Sequence, residues 1–364
     1  MKAIVYGTGL ESIHEKVVAG ERLTLEEGVR IATSPHLTAV GFLANIVRER
    51  LNGHRTYYVY NQHINYSNVC KNACRFCAFS RRAGQDGAYR MTVDEVAAKV
   101  EERLDEPIQE LHIVGGCDPD LPFSYYLDML RAIKAVRPAV HIQAFTCVEI
   151  AHLAEITGLT VNEALMALRE AGLGSIPGGG AEVFAPRIRQ ELCDMKLSPD
   201  GWLDVARSAH ELGIKSNATM LYGHVETAEE RVRHLVRLRE QQDETGGFLA
   251  FIPLSFHPSN TELEHLRGPT GVDDLKNIAV ARLMLDNFPH IKAFWIMIGP
   301  KLAQVSLSFG ADDMDGTVIE EKITHMAGAT TDQVFPVTEL RRYILEAGRQ
   351  PVERDTLYNI IKEG

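Results

Sequence analysis

The chain has 364 residues, 45% hydrophobic and 24% charged, with a formal net charge of −11. This supplies a core for one large or two ordinary globular domains, and Lys and Arg dispersed under an acidic total argue against nucleic acid as a partner. No apolar run is long enough to span a bilayer, the first residues lack the apolar core of a signal peptide, and six cysteines in so long a chain do not make a secreted disulfide scaffold, so no membrane partner is expected and the cytoplasm is the expected location.

The first fifty residues read as helices: an amphipathic stretch over Leu10–Ala19, a second helix opened by the capping box Thr24-Leu-Glu-Glu27, and a third over Val40–Leu51 that ends before Gly53. From Thr56 short β-rich runs alternate with helical ones. Strands are expected over Tyr57–Ser67, Glu110–Gly116, Val140–Phe145, Leu173–Ile176, Lys215–Leu221, Phe248–Pro253 and Lys292–Ile298. Helices are expected between them, over Thr92–Leu104, Phe123–Val136, Val161–Ala171, Gly201–Leu212, Ala228–Asp243 and Asp273–Phe288, followed by a short one over Leu302–Phe309. About seven or eight unbroken βα units predict an α/β fold, a (β/α)8 TIM-type barrel or partial barrel with helical additions at both ends. No linker-like block divides the chain. The expected organisation is a helical segment over 1–55, a barrel core over 56–318 and a C-terminal extension over 319–364.

The chemistry centres on Cys70-Lys-Asn-Ala-Cys74-Arg-Phe-Cys77, a C-x3-C-x2-C loop with an aromatic, Phe76, before its last thiol. Thiolates suit zinc or an iron–sulfur cluster. A structural zinc needs four ligands, whereas the other three cysteines, Cys117, Cys147 and Cys193, are scattered singly. Three clustered thiols suit a cubane with one iron open; a zinc site or three unrelated thiols is the plainer alternative. In a barrel the site lies at the C-terminal ends of the strands, and polar or glycine-rich groups recur there. Gly115-Gly116 ends the second strand, where glycine lets backbone approach a ligand or merely makes a tight turn. Thr146 and Glu149 follow the third strand as polar contacts or a helix cap. Ser175-Ile-Pro-Gly-Gly-Gly-Ala-Glu182 ends the fourth, with Glu182 able to accept from ribose hydroxyls or simply to be solvated. Asn217 lies within the fifth and Tyr222-Gly-His224 follows it, and His257-Pro-Ser-Asn260 follows the sixth, each suited to anchor a carboxylate or nucleoside or else a satisfied core or loop residue. His63 and Asn65 alternate with Ile64 and so share one face of the first strand. Arg81 and Arg82 can clamp a carboxylate, or form a solvated basic loop.

The cysteine spacing with its aromatic resembles the radical S-adenosylmethionine (SAM) superfamily. Gln62-His-Ile-Asn65, Ser175–Glu182, Asn217–Glu226 and His257–Thr261 are similar to its menaquinone-pathway and deazaflavin-synthase branch. Asn217-Ala-Thr-Met-Leu-Tyr-Gly-His224, Gly271-Val-Asp-Asp-Leu-Lys276, Lys301–Val305, Asp315–Val318 and Val352–Tyr358 resemble the aminodeoxyfutalosine synthase family in particular. The resemblance runs from about Asn61 to the end. It implies a [4Fe-4S] cluster on Cys70, Cys74 and Cys77, SAM as co-substrate chelated at the open iron, and SAM contacts from Phe76, Gly115, Gly116, Thr146 and Glu182. It also implies addition of the 5′-deoxyadenosyl radical to 3-[(1-carboxyvinyl)oxy]benzoate, with rearrangement and decarboxylation, to give 6-amino-6-deoxyfutalosine. His63, Asn65, His224 and His257 are then the catalytic candidates, and Arg81, Asn217, Tyr222 and Asn260 the substrate-binding ones. A flavodoxin or ferredoxin is the generic electron donor. The sister dehypoxanthine futalosine cyclase, the deazaflavin synthase subunit and a non-catalytic zinc or cluster module are the alternatives.

Overall fold

In the computed structural model, which describes residues 2–364, the amino-terminal helices span Glu11–Ala19, Leu25–Thr33 and Leu37–Asn52. The expected capping box is present: Thr24 Oγ1 accepts from the Glu27 amide at 3.2 Å, and the Glu27 carboxylate accepts from the Thr24 amide at 2.8 Å. These helices lie against the helix Gly271–Met284, so closely that a Cβ on Gly28 would come within 2.6 Å of Met284 Sδ. The buried guanidinium of Arg48 ties them to the barrel floor, donating to the carbonyls of Gly53, Arg55 and Ala311 and to Thr56 Oγ1.

Among the described residues eleven strands follow in chain order: β1 (Arg55–Val59), β2 (Asn61–Ile64), β3 (Glu110–Ile113), β4 (His141–Ala144), β5 (Ser175–Ile176), β6 (Lys215–Tyr222), β7 (Phe248–Ser255), β8 (His290–Ile291), β9 (Asp313–Gly316), β10 (Gln350–Arg354) and β11 (Ile360–Glu363). Strands β2 to β8 form one parallel sheet in sequence order, wrapped by the intervening helices. This is the expected barrel class in its partial form. Seven strands share hydrogen bonds in one sheet, and the seam between β8 and β2 is bridged by residues 313–319. Lys292 pairs with Asp313 on one side and Gln62 with Ile319 on the other, the His63 amide donating to the Ile319 carbonyl at 2.8 Å.

The single strand expected over Tyr57–Ser67 is two. β1 joins a second sheet, β11-β10-β1-β9, while β2 opens the barrel. The partner changes at Tyr60, a half-buried residue outside both strands, and nothing in the local residue pattern marks the switch. The tail is woven into that second sheet, with Arg55 opposite Gln350 and Tyr57 opposite Val352. The run Lys292–Ile298, expected as a strand, is not one. β8 stops at Ile291, and Trp295–Ile298 form a helical turn whose Trp295 indole donates to the Gly316 carbonyl at 2.8 Å. A short apolar run does not distinguish a strand from a buried helical turn. Two further helices, Cys147–Thr157 and Pro186–Leu192, escaped the periodicity reading.

The inward face of β2 to β4 is polar in two successive layers, and Asn61, Glu110 and His141 stand in register in the one nearer the strand N-termini. His63, His112 and Gln143 stand in register on β2, β3 and β4, and Gln143 pairs with Ser175 on β5. A barrel core is ordinarily filled by Val, Ile and Leu, so this layer marks the lumen as a binding space.

Candidate active site

The lumen opens at the C-terminal ends of the strands into a cavity of about 300 Å³. Its wall is built in two tiers, a cysteine loop with its glycine turns above and the polar layer below.

The cysteine loop leaves β2 and is fixed by backbone pairing. The Cys70 amide donates to the Arg81 carbonyl at 3.0 Å, the Lys71 amide to the Cys117 carbonyl at 3.0 Å, and the Arg75 amide to the Leu192 carbonyl at 2.9 Å. Cys70, Cys74, Cys77 and Phe76 all line the cavity. Each of two loop thiols has a buried thiol beside it. A hydrogen bond with Cys117 draws the Cys70 pKa down to about 5, while hydrogen bonding with Cys193 and burial drive that of Cys74 up. Cys193, to which the sequence assigned no role, thus stands directly behind the loop.

Glycines permit the close packing of this tier. A Cβ on Gly116 would fall 2.0 Å from the Val69 carbonyl oxygen, and one on Gly115 2.6 Å from the Tyr66 ring. Only glycine lets the end of β3 lie flat against the cysteine loop. The Gly115 amide is engaged by Glu149, whose carboxylate also accepts from Tyr66 Oη at 2.7 Å and the Thr146 amide at 2.7 Å. Burial outweighs these donors and pushes the Glu149 pKa up to about 7. Thr146 both faces the cavity and caps the helix Cys147–Thr157, its hydroxyl accepting from the Glu149 amide. At the triple glycine, Gly178 adopts φ 84°, and a Cβ there would sit 2.2 Å from the Asn217 carbonyl oxygen.

Glu182 ends that turn and pairs with Lys196 at 2.5 Å. Lys196 lies over the Phe76 ring, 5.5 Å from its centroid. Burial opposes its charge, but Glu182, Cys74 and Cys193 overcompensate and hold its pKa above the usual lysine value. It is the cation beside the thiols, and nothing in its local sequence, Cys193-Asp-Met-Lys196, distinguishes it.

The lower tier gathers His63, His112, Lys292 and Asp315. The two imidazoles stack with centroids 4.3 Å apart, and the Lys292 ammonium pairs with Asp315 Oδ1 at 2.8 Å. His112, Lys292 and Asp315 were not singled out from sequence. The in-register partner of His63 is the one signal that was available for His112.

Of the sequence candidates, His63, Asn65, the three cysteines, Phe76, Gly115, Gly116, Thr146, Glu182 and His257 meet at this cavity. Asn65 donates to the Val114 carbonyl at 3.1 Å, and a ring nitrogen of His257 lies 2.9 Å from the Met297 carbonyl oxygen. The others stand elsewhere. The Arg81 guanidinium donates to the carbonyls of Ala78 and Ser80, and that of Arg82 to those of Cys70 and Lys71, so the basic pair staples the loop instead of facing the lumen. Tyr222 is buried and donates to Asp274 at 2.7 Å. His224 is enclosed against Glu226 at 2.9 Å and the Leu221 carbonyl. Asn217 lies one shell out, behind Gln143. Asn260 holds the segment over the cavity, donating to the Met326 carbonyl at 2.9 Å, while Glu321, Ile323, Thr324 and Ala327 of that segment form part of the wall.

The donor set fits a polynuclear cluster. Three thiols of one short loop face a shared space with a buried cation alongside, whereas among the described residues no three Cys, His, Asp or Glu side chains converge to hold a single ion. Comparison with known proteins agrees. Residues 64–238 match the radical SAM superfamily model, and residues 245–363 match the CofH/MqnC C-terminal region. The chain is 52% identical to the aminodeoxyfutalosine synthase of Thermus thermophilus over 96% of its own length and 95% of that protein's. It is 42% identical to the 5-amino-6-(D-ribitylamino)uracil–L-tyrosine 4-hydroxyphenyl transferase of Archaeoglobus fulgidus, over 88% of this chain and 92% of that one. In fold it is similar to the crystal structure of methylornithine synthase, with TM-score 0.74 and 20% identity over 93% of this chain and 97% of that one.

Partial barrel, cysteine loop and matched superfamily define a radical SAM enzyme, which binds a [4Fe-4S] cluster and SAM. Within that class the chain belongs to the aminodeoxyfutalosine synthase family.

Proposed function

We propose that this chain joins the 5′-deoxyadenosyl group of SAM to 3-[(1-carboxyvinyl)oxy]benzoate, giving 6-amino-6-deoxyfutalosine for menaquinone biosynthesis. The observation that carries the reading is the 52% identity to an aminodeoxyfutalosine synthase over nearly the whole of both chains. The loop Cys70–Cys77 would hold the cluster, and the wall formed by Phe76, Gly115, Gly116, Thr146, Glu182 and Lys196 would hold SAM. When bound, the cluster supplies the electron that cleaves SAM to methionine and a 5′-deoxyadenosyl radical.

The rest is what the lumen must do. The radical adds to the vinyl methylene, the new carbon radical attacks the ring carbon that bears oxygen, and the ether C–O bond breaks. The vinyl carboxylate then leaves as CO2, and the one electron released would return to the cluster that supplied the first, so the turnover is redox-neutral. With both carboxylates ionised, every substrate hydrogen stays in the product, so the balance calls for no general acid or base. On this reading His63, Asn65 and His257 position the substrate, and the apolar wall, including Leu221, Ile252, Leu254 and Phe256, keeps water out of the lumen. A flavodoxin or ferredoxin in the cytoplasm would deliver the electron. Among the described residues no helix is long and apolar enough to cross a membrane.

The test offers reconstituted enzyme, SAM and dithionite three substrates separately: the enol ether, dehypoxanthine futalosine, and tyrosine with the ribitylaminouracil. Conversion of the enol ether to a deoxyadenosyl adduct is expected. Conversion of either other substrate in its place moves the chain to a sister activity.

A further inference from the structure

A dicarboxylate held in a mostly apolar lumen needs donors for both of its charged groups. The floor of the cavity has donors to spare. Lys292, only 3% exposed, has three ammonium hydrogens, and Asp315 at 2.8 Å is the one side-chain acceptor it meets. His63 Nε2 is buried with no partner, and its ring faces the same space. Asp315, His63 and His112 face Lys292, while Asp313, which bridges to it through the backbone, spends its carboxylate on Arg354. Burial, reinforced by His112 and Lys292, keeps His63 neutral, so Lys292 is the cation of this floor. Asp315 is itself held in the left-handed region at φ 60°, with its amide bonded to Asp313 Oδ1. A buried ion pair of this kind is a weak source of stability, and a buried imidazole nitrogen without a partner is costly. Both features point to a ligand.

We propose that Lys292, with His63, is the anchor for the aromatic carboxylate of the substrate, the benzoate ring lying beside the edges of the His63 and Phe294 rings that line this part of the cavity. These two rings are 12° from parallel, with centroids 6.5 Å apart. The assignment rests on the substrate reading above and adds to it which carboxylate the floor takes. The vinyl carboxylate departs as CO2, so an ammonium on it would stabilise the ground state over the transition state and slow its loss. The benzoate charge is unchanged throughout and can be gripped hard without cost to the chemistry. Lys196, the other buried cation of the wall, is paired with Glu182 beside the thiols, at the SAM end.

The test compares the substrate with [(1-carboxyvinyl)oxy]benzene, which lacks only the ring carboxylate, by anaerobic calorimetry on the reconstituted enzyme. A charge-assisted anchor predicts that wild type prefers the dicarboxylate by about 10- to 100-fold. Lys292→Met should bring the preference to within about threefold at unchanged iron content, the loss being that same charge-assisted contribution. The double variant Lys292→Met/Asp315→Asn removes both charges, so it reports the same loss if the single variant fails to fold. Wild type that converts the dicarboxylate yet binds both compounds alike overturns the anchor alone, and so does a Lys292→Met enzyme that keeps the preference. Wild type that binds neither compound overturns the substrate reading and the anchor with it.

Discussion

Glu149 gives the most quantitative prediction. It is buried behind the Gly115-Gly116 turn, accepting from Tyr66, Gly115 and Thr146, and its pKa rises from the ordinary 4.5 to about 7 because burial outweighs those donors. A carboxyl whose folded pKa lies above its unfolded value binds its proton more tightly in the folded chain. Its contribution to stability is full below pH 4.5 and is lost as pH rises through 7. The rise from 4.5 to about 7 corresponds to about 3 kcal/mol, most of it falling between about pH 5 and pH 8. Glu149→Gln cannot titrate. The assay is urea unfolding of wild type and variant at several pH values, read as the difference between them so that other titrating groups cancel. That difference should move by about 2–3 kcal/mol in favour of the variant as pH rises. A difference flat across the range would refute the claim that burial governs this carboxyl.

Cys74→Ala should lower iron to background and abolish SAM cleavage, measured by metal analysis and methionine release; an intact cluster would remove Cys74 from the ligand set. Lys196→Met should weaken SAM binding by about tenfold or more, since it removes a buried charge and leaves Glu182 unpaired; an unchanged SAM dissociation constant would detach Lys196 from the SAM end. Gly178→Ala should cost at least about 2–3 kcal/mol in denaturant unfolding, because φ 84° and the Asn217 carbonyl at 2.2 Å both oppose a Cβ. An alanine variant of wild-type stability would show that the turn relaxes.

The elements most legible in sequence were those whose signals are local. The helices Phe123–Val136 and Val161–Ala171 have the bounds that periodicity predicted, and the Thr24 box caps where it should. The cysteine loop was legible too, because three ligands lie within eight residues of chain. Legibility fails where the answer depends on a partner remote in sequence. The β1–β2 switch is set by Asp312, Thr317 and Gln109, which lie far along the chain, and the Lys292 run turns helical to seat Trp295 against Gly316. Lys196, His112 and Lys292 gain meaning only from Glu182, His63 and Asp315, which the fold brings beside them. Arg81 failed in the opposite sense: its residue type suited a carboxylate, but the carbonyls of its own loop lie nearer. Tyr222 and His224 likewise spend their polar atoms on Asp274, Glu226 and Leu221.

The central claim is that the deoxyadenosyl radical is added to substrate, not quenched by hydrogen abstraction. The direct measurement is the ratio of products in one anaerobic turnover of cluster-loaded enzyme with SAM, dithionite and 3-[(1-carboxyvinyl)oxy]benzoate. The account predicts one 6-amino-6-deoxyfutalosine per methionine released and little free 5′-deoxyadenosine. Methionine matched by free 5′-deoxyadenosine, with no adduct, would contradict it.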